Sequence, residues 1–230
     1  MLGRFFSDHG YYFFLAVGAV AMLVLMLVRR HRYRLSIIQS VIYTLLLLIT
    51  GVTGAKLLYF FECGMQSFSG MSFFGAVYLV LLAMPLVGLI FKIKPMESLD
   101  ACAPCVAVIV GFQRFGCYCA GCCGGIPLGS SGMLWPTQLM EGFCDMAILG
   151  FLLIAEVKGF AKNKGYPLFL ISYGIFRFIL EFVRDTSKDW LGLSHGQWFS
   201  IIGISLGLLM LLGDVIWRNR KSTKYCLDQD

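Results

Sequence analysis

The chain has 230 residues, 58% of them hydrophobic and only 14% charged, with a mean hydropathy of +0.78. Proteins that fold in water carry about a quarter charged residues, so this composition excludes a water-facing surface over most of the chain and a second, soluble domain beside it. The net charge of +6 gathers at the ends of apolar runs, which reads as membrane orientation and not as nucleic-acid contact.

Seven apolar runs follow in chain order, at residues 11–28, 35–61, 71–91, 101–119, 136–157, 166–183 and 196–217. Each approaches or exceeds the roughly 20 residues that cross a bilayer's hydrocarbon. Only helices satisfy their own backbone groups in lipid without closing a barrel. The expected fold is therefore an all-α integral membrane protein, a seven-transmembrane-helix bundle built as one polytopic domain over residues 1–230. The first run is followed, not preceded, by its basic cluster and so reads as a retained anchor and not a cleaved signal. The second is long enough to hold a break around residues 51–54, where two glycines stand. Arg114 interrupts the fourth, and the glycine-rich residues 121–132 read as an external loop.

Orientation follows from lysine and arginine in the loops. One set holds Arg29, Arg30, Arg32, Arg34, Lys92, Lys94, Lys158, Lys162, Lys164, Arg218, Arg220, Lys221 and Lys224; the other holds only Arg4, Arg184 and Lys188. Thirteen against three puts the N-terminus outside and the C-terminus in the cytoplasm. Trp190, Trp198, Trp217 and Tyr225 suit the aromatic belts at the two interfaces. Asp214 and Glu156, near inner helix ends, read as solvated or paired.

Several charges stay inside the runs. Lys56, Arg114 and Arg177 are the bases; Glu141, Asp145 and Glu181 are the acids, with Arg184 at the edge. A charge at mid-bilayer costs at least about 2.5–3.5 kcal/mol, so a group of this size needs a reason. Helical spacing organises it. Tyr173, Arg177, Glu181 and Arg184 fall on one stripe of the sixth helix, Gln138, Glu141 and Asp145 on one stripe of the fifth, and Arg114 shares a face with Cys117. The plain reading is structural pairing of Arg177 with Glu181, Arg184 with Glu181 and Arg114 with Glu141. The other reading is a polar chamber opening toward the outer leaflet. Four bases against three acids leave one positive charge over, and arginine forks fit phosphate oxygens, so its occupant would be a phospholipid headgroup.

The cysteines at 117, 119, 122 and 123 invite a metal, yet zinc sites want two separated ligand pairs, and no metal or cofactor is expected. An outer disulfide from Cys63 to Cys122 or Cys123 is expected instead. His9 and His195 are outer-side candidates for a base, although an interfacial histidine is more often simply solvated.

Several segments resemble one family. Tyr173-Gly-Ile-Phe-Arg177-Phe-Ile-Leu-Glu181-Phe-Val-Arg184 is similar to the Tyr-Gly-x-x-Arg-Phe-x-x-Glu-x-x-Arg motif of prolipoprotein diacylglyceryl transferases, and Trp135-Pro-Thr-Gln138-Leu-Met-Glu141 to their His-Pro-Ser-Gln-Leu-Tyr-Glu. Gly111-Phe-Gln-Arg114-Phe-Gly116-Cys117, with Gly121 and Gly125 after it, resembles their glycine-arginine signature. Gly54-Ala-Lys56-Leu-Leu-Tyr59, Gly70-Met-Ser-Phe-Phe74-Gly75, Gly196-Gln197 and the Tyr11–Tyr12 pair fall in the same order. The resemblance covers nearly the whole chain.

The resemblance implies a multi-pass enzyme of the bacterial cell membrane that needs no cofactor. It would move the diacylglyceryl group of phosphatidylglycerol onto the lipobox cysteine thiol of a prolipoprotein. Carried over position by position, it gives Arg177, Tyr173 and Glu181 catalytic roles. Arg114 and Arg177 would hold the phosphate, Tyr173 would orient the headgroup, and Glu181 would position an arginine. Gln138, Glu141, Lys56 and Tyr11 would line the phospholipid site, with Arg184 at its mouth. This chain departs from the family in having Phe74 where a histidine is common, Lys56 where an arginine stands, and Cys117, Ala120 and Cys122 after the signature arginine. The base for the substrate thiol is thus open among Glu181, Asp145, Tyr173 and the arginine field. Two other readings stay open: a divergent relative with another acceptor or phospholipid, and a lipid-binding or transport protein without chemistry.

Overall fold

The computed structural model describes residues 2–67, 70–129, 132–188 and 190–227, with side chains at 9–67, 70–129, 132–188 and 191–216. The side chains of Arg4, Trp190, Trp217, Arg218, Arg220, Lys221, Lys224 and Tyr225, used above for orientation, lie outside the described residues. Seven α-helices account for most of the rest: α1 (Leu2–Arg29), α2 (Ile37–Glu62), α3 (Phe73–Ile90), α4 (Pro95–Cys119), α5 (Thr137–Val157), α6 (Gly165–Leu180) and α7 (His195–Leu227). Among the described residues there is no strand, only isolated bridges that pair Gly125 with Arg184 and Pro127 with Leu134.

A helix stands at each of the seven apolar runs. Five of them (α1, α2, α3, α4 and α7) are long and apolar enough to cross a membrane. Of the other two, α5 carries Glu141, Asp145 and Glu156, and α6 is apolar but only 16 residues long.

The helix with a charge in its middle proves to be the centre of the bundle. Two-thirds of the apolar window of α4 is buried, against a third or less for the other four, and α4 packs on α1, α3, α5 and α6. Its run of Ala101, Cys102, Ala103, Pro104, Cys105 and Ala107 is small enough to let neighbouring backbones close in, which is how helices pack where lipid offers no hydrophobic drive. Large side chains from the surrounding helices then fill the core around it, among them Met22, Met26, Tyr43, Met84, Leu152 and Tyr166.

The break expected around residues 51–54 is absent, and α2 runs on through it. Gly54 serves a crossing instead. A Cβ there would run into the carbonyl oxygen of Gly75 on α3, and a Cβ on Gly75 would run into that of Gly54. The two backbones touch, and only glycine permits it.

Local signals fix the helix starts. Ser36 and Gln39 form a capping box at α2: the Gln39 amide donates to Ser36 Oγ at 3.2 Å, and the Ser36 amide to Gln39 Oε1 at 2.9 Å. Ser194 and Gln197 repeat the arrangement at α7 at 3.0 and 3.2 Å.

The end of the bundle formed by the α1, α4 and α5 termini holds a clamp that the loop charges concealed. Arg29, counted above among orientation charges, is buried. Its Nε donates to both oxygens of Glu156 at 3.1 and 3.0 Å, and its other nitrogens donate to the Ala101 and Asp100 carbonyls and the Tyr33 hydroxyl. Asp100 in turn accepts from the Asn163 and Gly165 amides at 2.6 and 2.8 Å, fixing the α5–α6 turn to α4.

Candidate active site

The inward stripe of α5 presents Glu141, which is fully buried. An unpaired carboxylate there would be costly, and the surrounding helices supply its partners. From α4, Arg114 Nη2 lies 2.9 Å from Glu141 Oε1. From α6, Arg177 Nη1 lies 3.4 Å from Oε2, and the Tyr173 hydroxyl donates to Oε1 at 3.2 Å. From the segment after α6, Arg184 Nη1 lies 3.3 Å from Oε2. Arg177 also reaches Glu181 Oε2 through Nη2 at 3.0 Å. Three guanidiniums thus converge on one carboxylate.

The three expected pairings are present, and Arg184 takes a second partner. Arg177 with Glu181 and Arg114 with Glu141 are present as expected. Arg184 is 4.0 Å from Glu181 and nearer to Glu141. It is also not on the sixth helix: α6 ends at Leu180, Glu181 caps it, and Arg184 lies on extended chain bridged to Gly125. Glu141 itself stands between the three arginines. Among the residues gathered here, three arginines face three acids: Glu141, Glu181 and Asp145. The Lys56 that gave the sequence its surplus is half-buried on α2. Tyr11, on α1, accepts from Gln113 Nε2 at 3.2 Å and backs onto Gly116 of α4. Gln138 anchors the neighbouring loop, donating to the Cys122 carbonyl at 2.6 Å.

Donor and acceptor capacity is left over. Arg114 Nε, Arg184 Nε, both oxygens of Asp145 and Gln197 Nε2 are buried without a hydrogen-bond partner. Folded proteins leave few such atoms, and here they gather on α4, α5, the segment after α6 and the start of α7. Gly196 contributes by what it lacks. A Cβ there would stand 2.8 Å from the Glu181 carboxylate, so only glycine lets that acid sit over the first turn of α7.

An aromatic wall closes one side. The Tyr173 ring meets Phe73, Phe74 and Phe169 with centroids 4.7, 5.8 and 5.7 Å away, and Phe74 also packs on Tyr78 and Phe199. The position where the resemblance leads one to expect histidine therefore faces Tyr173, and here it is filled by a buried ring. Spacing within a helix gave no hint of this wall, because three helices (α3, α6 and α7) build it.

The disulfide expected from Cys63 is not formed. Cys63 is a free thiol at the end of α2. Cys122 and Cys123 turn to Cys117 instead, their carbonyls held by Gln138 and Thr137.

The family model described as prolipoprotein diacylglyceryl transferase matches residues 4–213. The chain belongs to that family. A phosphatidylglycerol–prolipoprotein diacylglyceryl transferase 2 of Clostridium perfringens is 30% identical over 97% of this chain and 98% of its own length. Phosphatidylglycerol–prolipoprotein diacylglyceryl transferases of Clostridium tetani and Pasteurella multocida are 32% and 33% identical. They cover 50% and 64% of this chain and 52% and 58% of their own. The family resemblance thus runs through the residues that meet at Glu141 and past them on both sides.

Proposed function

We propose that this chain transfers the diacylglyceryl group of phosphatidylglycerol to the thiol of a prolipoprotein lipobox cysteine. It would do so as a single polytopic unit of the bacterial cell membrane, crossing the bilayer seven times with its N-terminus outside. The observation that carries the reading is the meeting of Arg114, Arg177 and Arg184 at distances of 2.9, 3.4 and 3.3 Å from one buried carboxylate. Each guanidinium has five N–H donors and Glu141 only about four acceptor sites, so donors remain for a second anion. Glu141 holds the forks in place, and a phosphate diester draws on what is left.

In the reaction a thiolate attacks the glyceryl carbon, the carbon–oxygen bond to phosphate breaks, and its electron pair leaves on glycerol phosphate as the thioether forms. Charge grows on the departing phosphate, where preorganised arginines act most strongly. Arg114 and Arg177 bind it, with Glu181 holding Arg177 in position and Tyr173 aiming the headgroup. Arg184 meets the headgroup at the mouth, while Gln138, Lys56 and Tyr11 complete the lining. Phe74 offers no acceptor, so the thiol proton passes to Glu181, Asp145, Tyr173 or solvent. The same ring supports the second reading, a relative whose acceptor differs from the lipobox thiol.

The test is direct. Purified protein, phosphatidylglycerol and a lipobox peptide should yield the thioether mass gain on the peptide cysteine, and Arg177→Ala should lower that yield about 10²–10³-fold. Lipid bound by the wild type without any mass gain would overturn the reading in favour of another acceptor or a binding role.

A further inference from the structure

The sulfurs of Cys117, Cys122 and Cys123 lie within 4.8 Å of one another. Cys117 is buried at the end of α4, whereas Cys122 and Cys123 are exposed in the loop that follows. Exposed cysteines turned toward a buried one are not filling a core. Their loop is also held at cost: Cys123 has φ 61°, in the left-handed region that favours glycine. Backbone of this kind persists where surrounding contacts over-determine it, and it clusters at ligand clamps. Here the contacts are the Gln138 and Thr137 side chains, which donate to the carbonyls of Cys122 and Cys123 at 2.6 and 3.0 Å. The Sγ of Cys122 points back to the Cys117 carbonyl at 3.7 Å.

We propose that Cys117, Cys122 and Cys123 form a site for a soft, thiophilic d10 cation, held by three thiolates beside the arginine cluster. Metal–sulfur bonds of about 2.3 Å need sulfurs roughly 4 Å apart, close to the spread of at most 4.8 Å among the three. A set made only of sulfur selects copper(I) or zinc over the hard, oxygen-seeking cations. With zinc, water takes the fourth position. Three thiolates around a singly or doubly charged ion leave the complex anionic, and the positive charges of Arg114 and Arg184 bear on Cys123. On binding, the thiols still protonated release their protons to solvent.

The experiment titrates the reduced, detergent-purified full chain with Zn2+, and separately with Cu(I) under anaerobic conditions. One equivalent per chain should bind, and Cys117, Cys122 and Cys123 should become protected from alkylation while Cys63 does not. The Cys122→Ser, Cys123→Ser double variant should bind at least about a hundredfold more weakly, while Cys63→Ser binds as the wild type. Equal melting temperatures would show that the double variant is folded. If the double variant fails to fold, the alkylation pattern of the wild type alone decides. Unprotected thiols with either metal would overturn the proposal. So would a disulfide between any two of the three in protein isolated with its thiols blocked.

Discussion

The two ends of α5 each bury a glutamate against arginine, and they do so differently. Fifteen residues, roughly 22 Å of helix, separate Glu141 from Glu156. At Glu156 every nitrogen of Arg29 has a partner, and those partners include two backbone carbonyls and a hydroxyl. At Glu141 three guanidiniums share one carboxylate, and two of their nitrogens have no hydrogen-bond partner. A saturated cluster holds helices together. An over-supplied one, costly by the same physics, is positioned to receive something more. Burial and charge alone do not separate the two; the inventory of unmet donors does.

The comparison can be tested from its strongest consequence to its weakest. Arg29→Ala should lower the unfolding free energy by about 3 kcal/mol, because Glu156 then keeps only the partly exposed Arg32, 3.3 Å from its Oε1. The drop is read as a fall in Tm in detergent, with the transfer rate of the folded protein unchanged. Replacing the pair together, Arg29→Met with Glu156→Leu, should restore most of that loss. At the other end Glu141→Gln should cost activity more than stability, with transfer falling about 10²–10³-fold. If it costs only stability, the two clusters are alike and the distinction drawn here fails. Gly196→Ala pushes Glu181 off the start of α7 and loosens Arg177 through it. Transfer should drop about tenfold to a hundredfold, since small misplacements of a positioning group cost that much. Ser194→Ala, one position from the same turn, removes only a cap and should cost about 1 kcal/mol with kcat preserved.

Much of this architecture was legible in the residues. Long apolar runs dictate helices in lipid, and each of the seven produced one. Pairing within a helix was legible too, since Arg177 and Glu181 are one turn apart. What depended on packing was not. Arg114 made α4 look least at home in the membrane, yet its charge is met by α5 and the helix is the most enclosed of the long ones. Gly54 suggested a break because a glycine's tolerance and its smallness cannot be told apart in sequence; the partner glycine on α3 decides for smallness. Arg29 sat in a basic cluster that satisfies the orientation rule, so nothing marked it for burial. Arg184 continued the helical spacing past the point where α6 ends, and Cys63 looked like a disulfide partner only while the path of the loop after α4 was unknown.

Arg184 is carried by a backbone that forms half of a bridge with Gly125, next to the Val183 carbonyl that accepts from the Ile126 amide at 3.0 Å. Tension on the loop between α4 and α5 therefore travels to that guanidinium along main-chain hydrogen bonds. Shifting the loop would shift the counter-ion of Glu141 with it, so the reach of Arg184 is set by main chain outside its own segment.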